Sequence, residues 1–299
     1  MAKLKFGDTG SCPAMYKTQE SIGIPREVSN QGEYRMPTTS FTFSLPSDVT
    51  NIGNRSLYYA FYGCTGLTSV DLSALTTVSG NNAFYYAFQN CTGLTSVDLS
   101  SLTTVSGSDA LSYTFYGCTG LTSVDLSSLT TVSGNGALSA AFFVCTGLTS
   151  IDLSALTTVS GIAALNSAFY GCTGLTSVDL SALTTVSSQG LYYAFCECTR
   201  LTSVNLSALT TVSGSYGLSS AFEGCTGLTD IYFRALTTSS FGSYTDQFQN
   251  MMQNTGTSKT HTIHFPSNLQ STISKLSGYP LFGGTSGYVV LAFDLPATF

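Results

Sequence analysis

CTGLTSVDLSALTTVSG, residues 64–80, is a stretch the chain keeps returning to. It recurs as CTGLTSVDLSSLTTVSG from Cys91 and from Cys118, as CTGLTSIDLSALTTVSG from Cys145 and as CTGLTSVDLSALTTVSS from Cys172. A diverged copy, CTRLTSVNLSALTTVSG, begins at Cys198, and CTGLTDIYFRALTT begins at Cys225. The spacing is 27 residues, except for one interval of 26 between Cys172 and Cys198. Self-similarity at a fixed period of this size is the signature of a solenoid or a propeller.

Within one unit, Leu67, Val70 and Leu72 have the spacing of a short strand, with Val70 and Leu72 on one face. Leu75 and Val78 form a second apolar pair, an extended arm that ends at Gly80. Phe84, Ala87 and Phe88 then sit at i, i+3 and i+4, which predicts one face of a short helical turn. Each unit therefore reads as strand, bend, arm and helical turn. A unit this small cannot offset its own backbone entropy by burial alone, so neighbouring coils have to supply the rest.

At 299 residues, 43% of them hydrophobic, the chain is long and apolar enough to fold. Only 9% are charged, against roughly 25% in ordinary globular proteins. The net charge of −6 argues against a nucleic-acid partner, whose phosphates demand a basic face. No apolar run approaches the length of a membrane-spanning helix, so no membrane insertion is expected. The start, MAKLKFGDTG, has Lys3 and Lys5 like the basic end of a signal peptide but turns polar at Gly7, so no such signal is read. A cytoplasmic or particle-associated location stays open on that ground.

The pattern A-F-x-x-C-x-x-L-x-x-V-x-L, running from Phe41 to about Leu236, resembles the BspA-like (Treponema-type) bacterial leucine-rich repeat. Phe43-Ser-Leu45-Pro46-Ser-Asp-Val49-Thr-Asn-Ile52-Gly53 is similar to the shorter form of that repeat, while the later units are longer and lack its proline. The resemblance implies an α/β repeat fold: a curved, right-handed leucine-rich-repeat solenoid with a parallel β ladder and short helical turns on the other side. It also implies display at a bacterial cell surface or outside the cell, for adhesion. Residues 1–40 are expected to be an N-terminal cap. Residues 41–236 would be the solenoid, a divergent first repeat and about seven repeats of 26–27 residues, and residues 237–299 a C-terminal cap. In that last segment His261–Pro266 and Tyr288–Phe293 read as strands, and 267–276 as a helix capped by Ser267.

Alternation on the strand puts Ser69 and Asp71 outside if Val70 and Leu72 point in. Stacking then gives a serine column (Ser69, Ser96, Ser123) beside an acid column (Asp71, Asp98, Asp125, Asp152, Asp179), which ends in Asn205 and Tyr232. No Lys or Arg occurs between Arg55 and Arg200 to neutralise it. One reading has each Asp accepting hydrogen bonds from nearby hydroxyls; another has a cation or basic ligand bridging the acids. Calcium needs six to eight oxygens, more than one acid per rung provides, so no metal and no cofactor are expected. The second candidate surface is aromatic: Tyr59, Tyr86, Tyr113, Tyr116, Tyr170 and Tyr193 fall outside the Phe84–Phe88 face, either as a recognition surface or as packing between coils.

The cysteines at the repeat period read as a column of buried free thiols, because side chains about 5 Å apart and parallel do not face each other as a disulfide requires. Cys196-Glu197-Cys198 has no second pair to complete a metal site. His261 and His264 form an H-x-x-H pair with no third ligand nearby, and no phosphate loop or nucleophile–base arrangement is present. The expectation is a non-enzyme: a binding or adhesion scaffold for a protein or glycan partner. The alternative is a structural component of a larger assembly, such as a surface filament or phage-like appendage, and a homo-oligomer is compatible with either.

Overall fold

The computed structural model describes residues 5–6, 40–241, 246–256, 260–271 and 289–295. The expected N-terminal cap lies outside the described residues apart from the strand Lys5–Phe6 and Ser40. Two ladders organise the rest. The first is an eleven-stranded sheet in which Lys5–Phe6 pairs antiparallel with Phe41–Ser44 and every later pairing is parallel. It runs through Leu67–Asp71, Ser96–Asp98, Ser123–Asp125, Ser150–Asp152, Ser177–Asp179, Ser203–Asn205 and Asp230–Tyr232 to His261–Pro266 and Val289–Leu295. The second, of seven two-residue strands from Asn51–Ile52 to Thr211–Val212, is the arm.

Like pairs with like. Ser69 is opposite Ser96, Val70 opposite Val97 and Asp71 opposite Asp98, and the arm aligns Thr77 with Thr104 and Val78 with Val105. A one-residue slip would turn every apolar side chain outward, so the pattern pins the register. The core is correspondingly a set of files. Leu67, Val70, Leu72, Leu75 and Val78 and their counterparts in the next coils are buried. Phe61, Phe88, Phe115, Phe142, Phe169, Phe195 and Phe222 stack at 5.1–5.7 Å with ring planes tilted by only 4–12° except the 2° of Phe142–Phe169.

The segment expected to be a helical turn is a row of β-turns instead. Phe84, Ala87 and Phe88 do point inward, but the hydrogen bonds are not helical. N–H groups alternate: Tyr58 and Ala60 donate three residues back, to Arg55 and Leu57, whereas Leu57, Tyr59 and Phe61 donate to Ala83, Tyr85 and Ala87 of the next coil. Every fourth residue has positive φ, as at Arg55, Tyr59 and Gly63. The reason is spacing. Strands stack at about 4.8 Å, whereas packed helices need 8–10 Å, so helices here would wedge the coils apart. Turns keep all three sides at the same rise.

Glycine marks where coils approach most closely. A Cβ on Gly134 would lie 2.1 Å from the carbonyl oxygen of Gly107 in the coil before it. At the shorter interval the sequence loses one residue between Val186 and Leu191, and Ser187 takes the glycine's place, its hydroxyl donating to Gly161 O at 2.6 Å. In the C-terminal segment His261–Pro266 and Val289–Leu295 are strands. Ser267 is the first residue of a 3₁₀ turn, Ser267–Leu269, without a side-chain cap, and the predicted helix beyond residue 271 lies outside the described residues.

Candidate functional site

Two surfaces carry the residues singled out above. On the strand face, Asp71, Asp98, Asp125, Asp152 and Asp179 are all exposed, as are Ser96 and Ser123, with Ser69 half-buried. Together they line a shallow trough of about 650 Å³ that reaches Ser150 and Asp152, and a further 410 Å³ continues past Asp179 to Asn205.

Each acid also holds its own coil together. Asp71 Oδ1 accepts the Ser73 N–H at 3.0 Å and the Ser73 hydroxyl at 2.6 Å. The same backbone bond recurs from Ser100 to Asp98, Ser127 to Asp125, Ser154 to Asp152 and Ser181 to Asp179, at 2.8–3.0 Å. These bonds favour the charged form, and Ser73 holds the Asp71 carboxyl below its ordinary value, as Ser154 does that of Asp152. One carboxylate oxygen per rung is thus occupied in the bend, which leaves the other on the trough except at Asp71, whose Oδ2 accepts the Ser44 hydroxyl at 3.2 Å.

The tyrosines spend their ring faces on one another. Tyr59 stacks on Tyr86 at 4.8 Å and Tyr86 on Tyr113 at 4.7 Å. Tyr116, Phe143 and Tyr170 form a second file, at 4.9 and 4.6 Å. Tyr193 lies beside Tyr192, 4.3 Å between centroids, three coils beyond the end of the first file. All of them are half-buried. Burial pushes the phenols of Tyr86 and Tyr113 up, and the neighbouring Cys196 with burial does the same to Tyr170. What faces outward is ring edges and hydroxyls rather than open aromatic planes.

The cysteine column needs one correction. Cys91, Cys118, Cys145, Cys172, Cys198 and Cys225 are free and buried, but Cys64 is disulfide-bonded, its partner lying outside the described residues. Each free thiol of the column donates to the carbonyl of the phenylalanine in the coil before it: Cys91 to Phe61 at 3.0 Å, Cys118 to Phe88 and Cys145 to Phe115 at 3.1 Å. Burial pushes Cys118 and Cys172 up to about 12, so the S–H stays available as a donor. The sequence signal for this was the strict period, which marks a position every coil uses in the same way. Cys196 and Cys198 sit in different files, Cys196 with the outer aromatics and Cys198 in the core.

His261 and His264, three apart on a strand, point to opposite faces and cannot chelate together. His261 is fully buried, its Nδ1 on the Leu228 carbonyl and its Nε2 without a hydrogen-bond partner among the described residues. His264 Nε2 meets Asp230 Oδ1 at 3.0 Å, and its ring stacks on Tyr232 at 4.5 Å.

Among the described residues no helix is long and apolar enough to cross a membrane. No curated protein matches the sequence. Among solved structures, the leucine-rich repeat protein of T. pallidum is 20% identical with a TM-score of 0.43, over 68% of this chain and 87% of that one. A leucine-rich repeat protein of Eubacterium ventriosum is 24% identical with a TM-score of 0.42, over 64% of this chain and 45% of the other, so this chain spans less than half of it. One from Bacteroides ovatus is 19% identical with a TM-score of 0.39, over 89% of this chain and 70% of that one. In sequence, residues 16–86, 34–140, 85–189 and 112–255 match the BspA type leucine-rich repeat region, in six copies. That match spans most of the chain, and the coils stack like residue on like residue as such repeats require: the chain belongs to the BspA-type leucine-rich repeat family.

Proposed function

We propose that the chain is a non-catalytic recognition scaffold of a bacterial cell surface that engages its partner, a protein or a glycan, along the strand face. One observation carries this reading. Five carboxylates stand in a single exposed file, each fixed by its own bend, and no lysine or arginine lies in the sequence between Arg55 and Arg200. A rigid file of one sign raises the local concentration of an oppositely charged partner and fixes its alignment. A basic protein segment is the complement that file favours. The tyrosine edges offer a second, adaptable surface, since their slots vary from coil to coil while the strand does not. Identical rungs give no pair of carboxyls with distinct environments for acid–base work. The family supports display at the surface, and the disulfide at Cys64 suits an oxidising compartment.

The test is binding of the full chain to a peptide and glycan array, repeated with Asp98→Asn, Asp125→Asn and Asp152→Asn combined. Loss of tenfold or more in affinity for a bound basic probe, together with salt dependence in the parent, is expected. A variant that is folded and binds as the parent does would place recognition elsewhere.

A further inference from the structure

The strand face changes chemistry at its C-terminal end. In the first five rungs an aspartate gives one oxygen to its bend, and from Asp98 to Asp179 the other turns outward, an acceptor with a negative charge, whereas that of Asp71 accepts the Ser44 hydroxyl. At the sixth rung Asn205 Oδ1 takes the same bend bond, from the Ser207 N–H at 3.0 Å and from its hydroxyl. The atom left for the trough is therefore the Nδ2 amide, a donor. At the seventh rung Tyr232 replaces the acid and Arg234 replaces the bend serine.

These residues border a recess of about 240 Å³ lined by Ser203, Val204, Asn205, Ser207, Tyr232 and Arg234, which adjoins the end of the trough at Ser203 and Asn205. Arg234 is exposed, and it makes no hydrogen bond or ion pair among the described residues. The Tyr232 ring is covered on one side by His264, 4.5 Å away and nearly parallel. On its other side stands the shorter, exposed Asn205, and the Tyr232 phenol is half-buried between the two. His264 is itself held by Asp230 Oδ1 at 3.0 Å, which engages one oxygen of that carboxylate. The nearest free acid of the column, Asp179, is paired with Asn205 and so lies one uncharged rung away from Tyr232.

A guanidinium, an outward amide N–H, the Ser203 hydroxyl and a phenol are donors, and with an aromatic edge they describe a site for a hydroxyl-rich ring that carries an anion. Arginine matches a carboxylate with two parallel bonds, and an amide and hydroxyls match ring hydroxyls. We propose that this recess is a subsite for an acidic saccharide of the uronic-acid class, with its carboxylate on Arg234 and its ring against Tyr232. It is independent of the acidic trough, which would take a partner of opposite sign.

The experiment is calorimetric titration of the full chain with trigalacturonic acid, with its methyl ester as the neutral twin. The acid should bind about tenfold more tightly than the ester, the worth of one charge-assisted contact. Arg234→Gln should remove that preference while leaving ester binding unchanged, and Tyr232→Ser should weaken both. If the acid does not bind, or binds no better than the ester, or keeps its preference in Arg234→Gln, the subsite is overturned. Should Tyr232→Ser fail to fold, the exposed Arg234→Gln decides alone. Binding of basic probes lost in the triple aspartate variant reports on the trough, so the two readings fail separately.

Discussion

At Val144 a β-branched residue occupies the left-handed region, with φ 57°. The same slot in other coils holds Gly63, Asn90, Gly117, Gly171 and Gly224, residues that tolerate this conformation, alongside Glu197. Val144→Asn is expected to stabilise by about 0.5–1 kcal/mol, read as a higher melting temperature by scanning calorimetry. The bend aspartates give a second residue-scale prediction. Ser73 holds the Asp71 carboxyl low, chiefly through its hydroxyl. Ser73→Ala should move that carboxyl back up toward its ordinary value in an NMR titration, and an unchanged value would show the hydroxyl to be irrelevant. Because the folded value is depressed, the contribution of this bond is present above the unfolded carboxylate range and fades as pH falls through the folded one.

Among elements, the thiol file and the glycine approach set the limits. Burial raises the free cysteines of the file, Cys118 and Cys172 to about 12 against an ordinary 9.0. A raised thiol stays protonated in the folded chain while the unfolded chain ionises, so stability is full below pH 9 and falls as pH rises above it. Each such thiol contributes a slope of up to about 1.4 kcal/mol per pH unit. Melting temperature should therefore drop steeply above pH 9, and less steeply in Cys145→Ala. Native protein should leave Cys91, Cys118 and Cys145 unreactive to a thiol reagent at pH 8, with reaction appearing on unfolding. At the close approach, Gly134→Ala must displace the Gly107 carbonyl. A loss of about 2–3 kcal/mol in a denaturant titration is expected.

For the whole molecule the governing fact is that the inner coils from Cys64 to Cys172 offer their neighbours nearly the same strand and arm. Cys118 is followed 27 residues later by Cys145, and the strands on either side hold identical register. Deleting residues 118–144 should therefore rejoin Gly117 to Cys145 and leave a folded, shorter stack with a modestly lower melting temperature, since stability is close to a sum over coils and interfaces. Circular dichroism checks this. Deleting half a coil should abolish cooperative melting, because it puts a turn segment where a strand must pair.

The period determined that the chain is built of like units, the repeat-family pattern within them that the coils stack in register, and strand alternation that Asp71 and its counterparts face water while Val70 and its counterparts do not. The phenylalanine file and the buried thiols followed from the same repetition. Sequence could not separate a helical turn from a row of β-turns at Phe84–Phe88, since periods of 3.6 and 4 coincide over so few residues; only the rise between neighbouring coils excluded the helix. Nor could it show that the tyrosine faces are used against each other, which depends on how close successive rings lie. The switch at Asn205 from outward oxygen to outward amide likewise became visible only with the bend bond to Ser207 in place. Chain pattern fixes which residues meet; the distance at which they meet, about one strand spacing, decides which of their groups remain free to bind anything else.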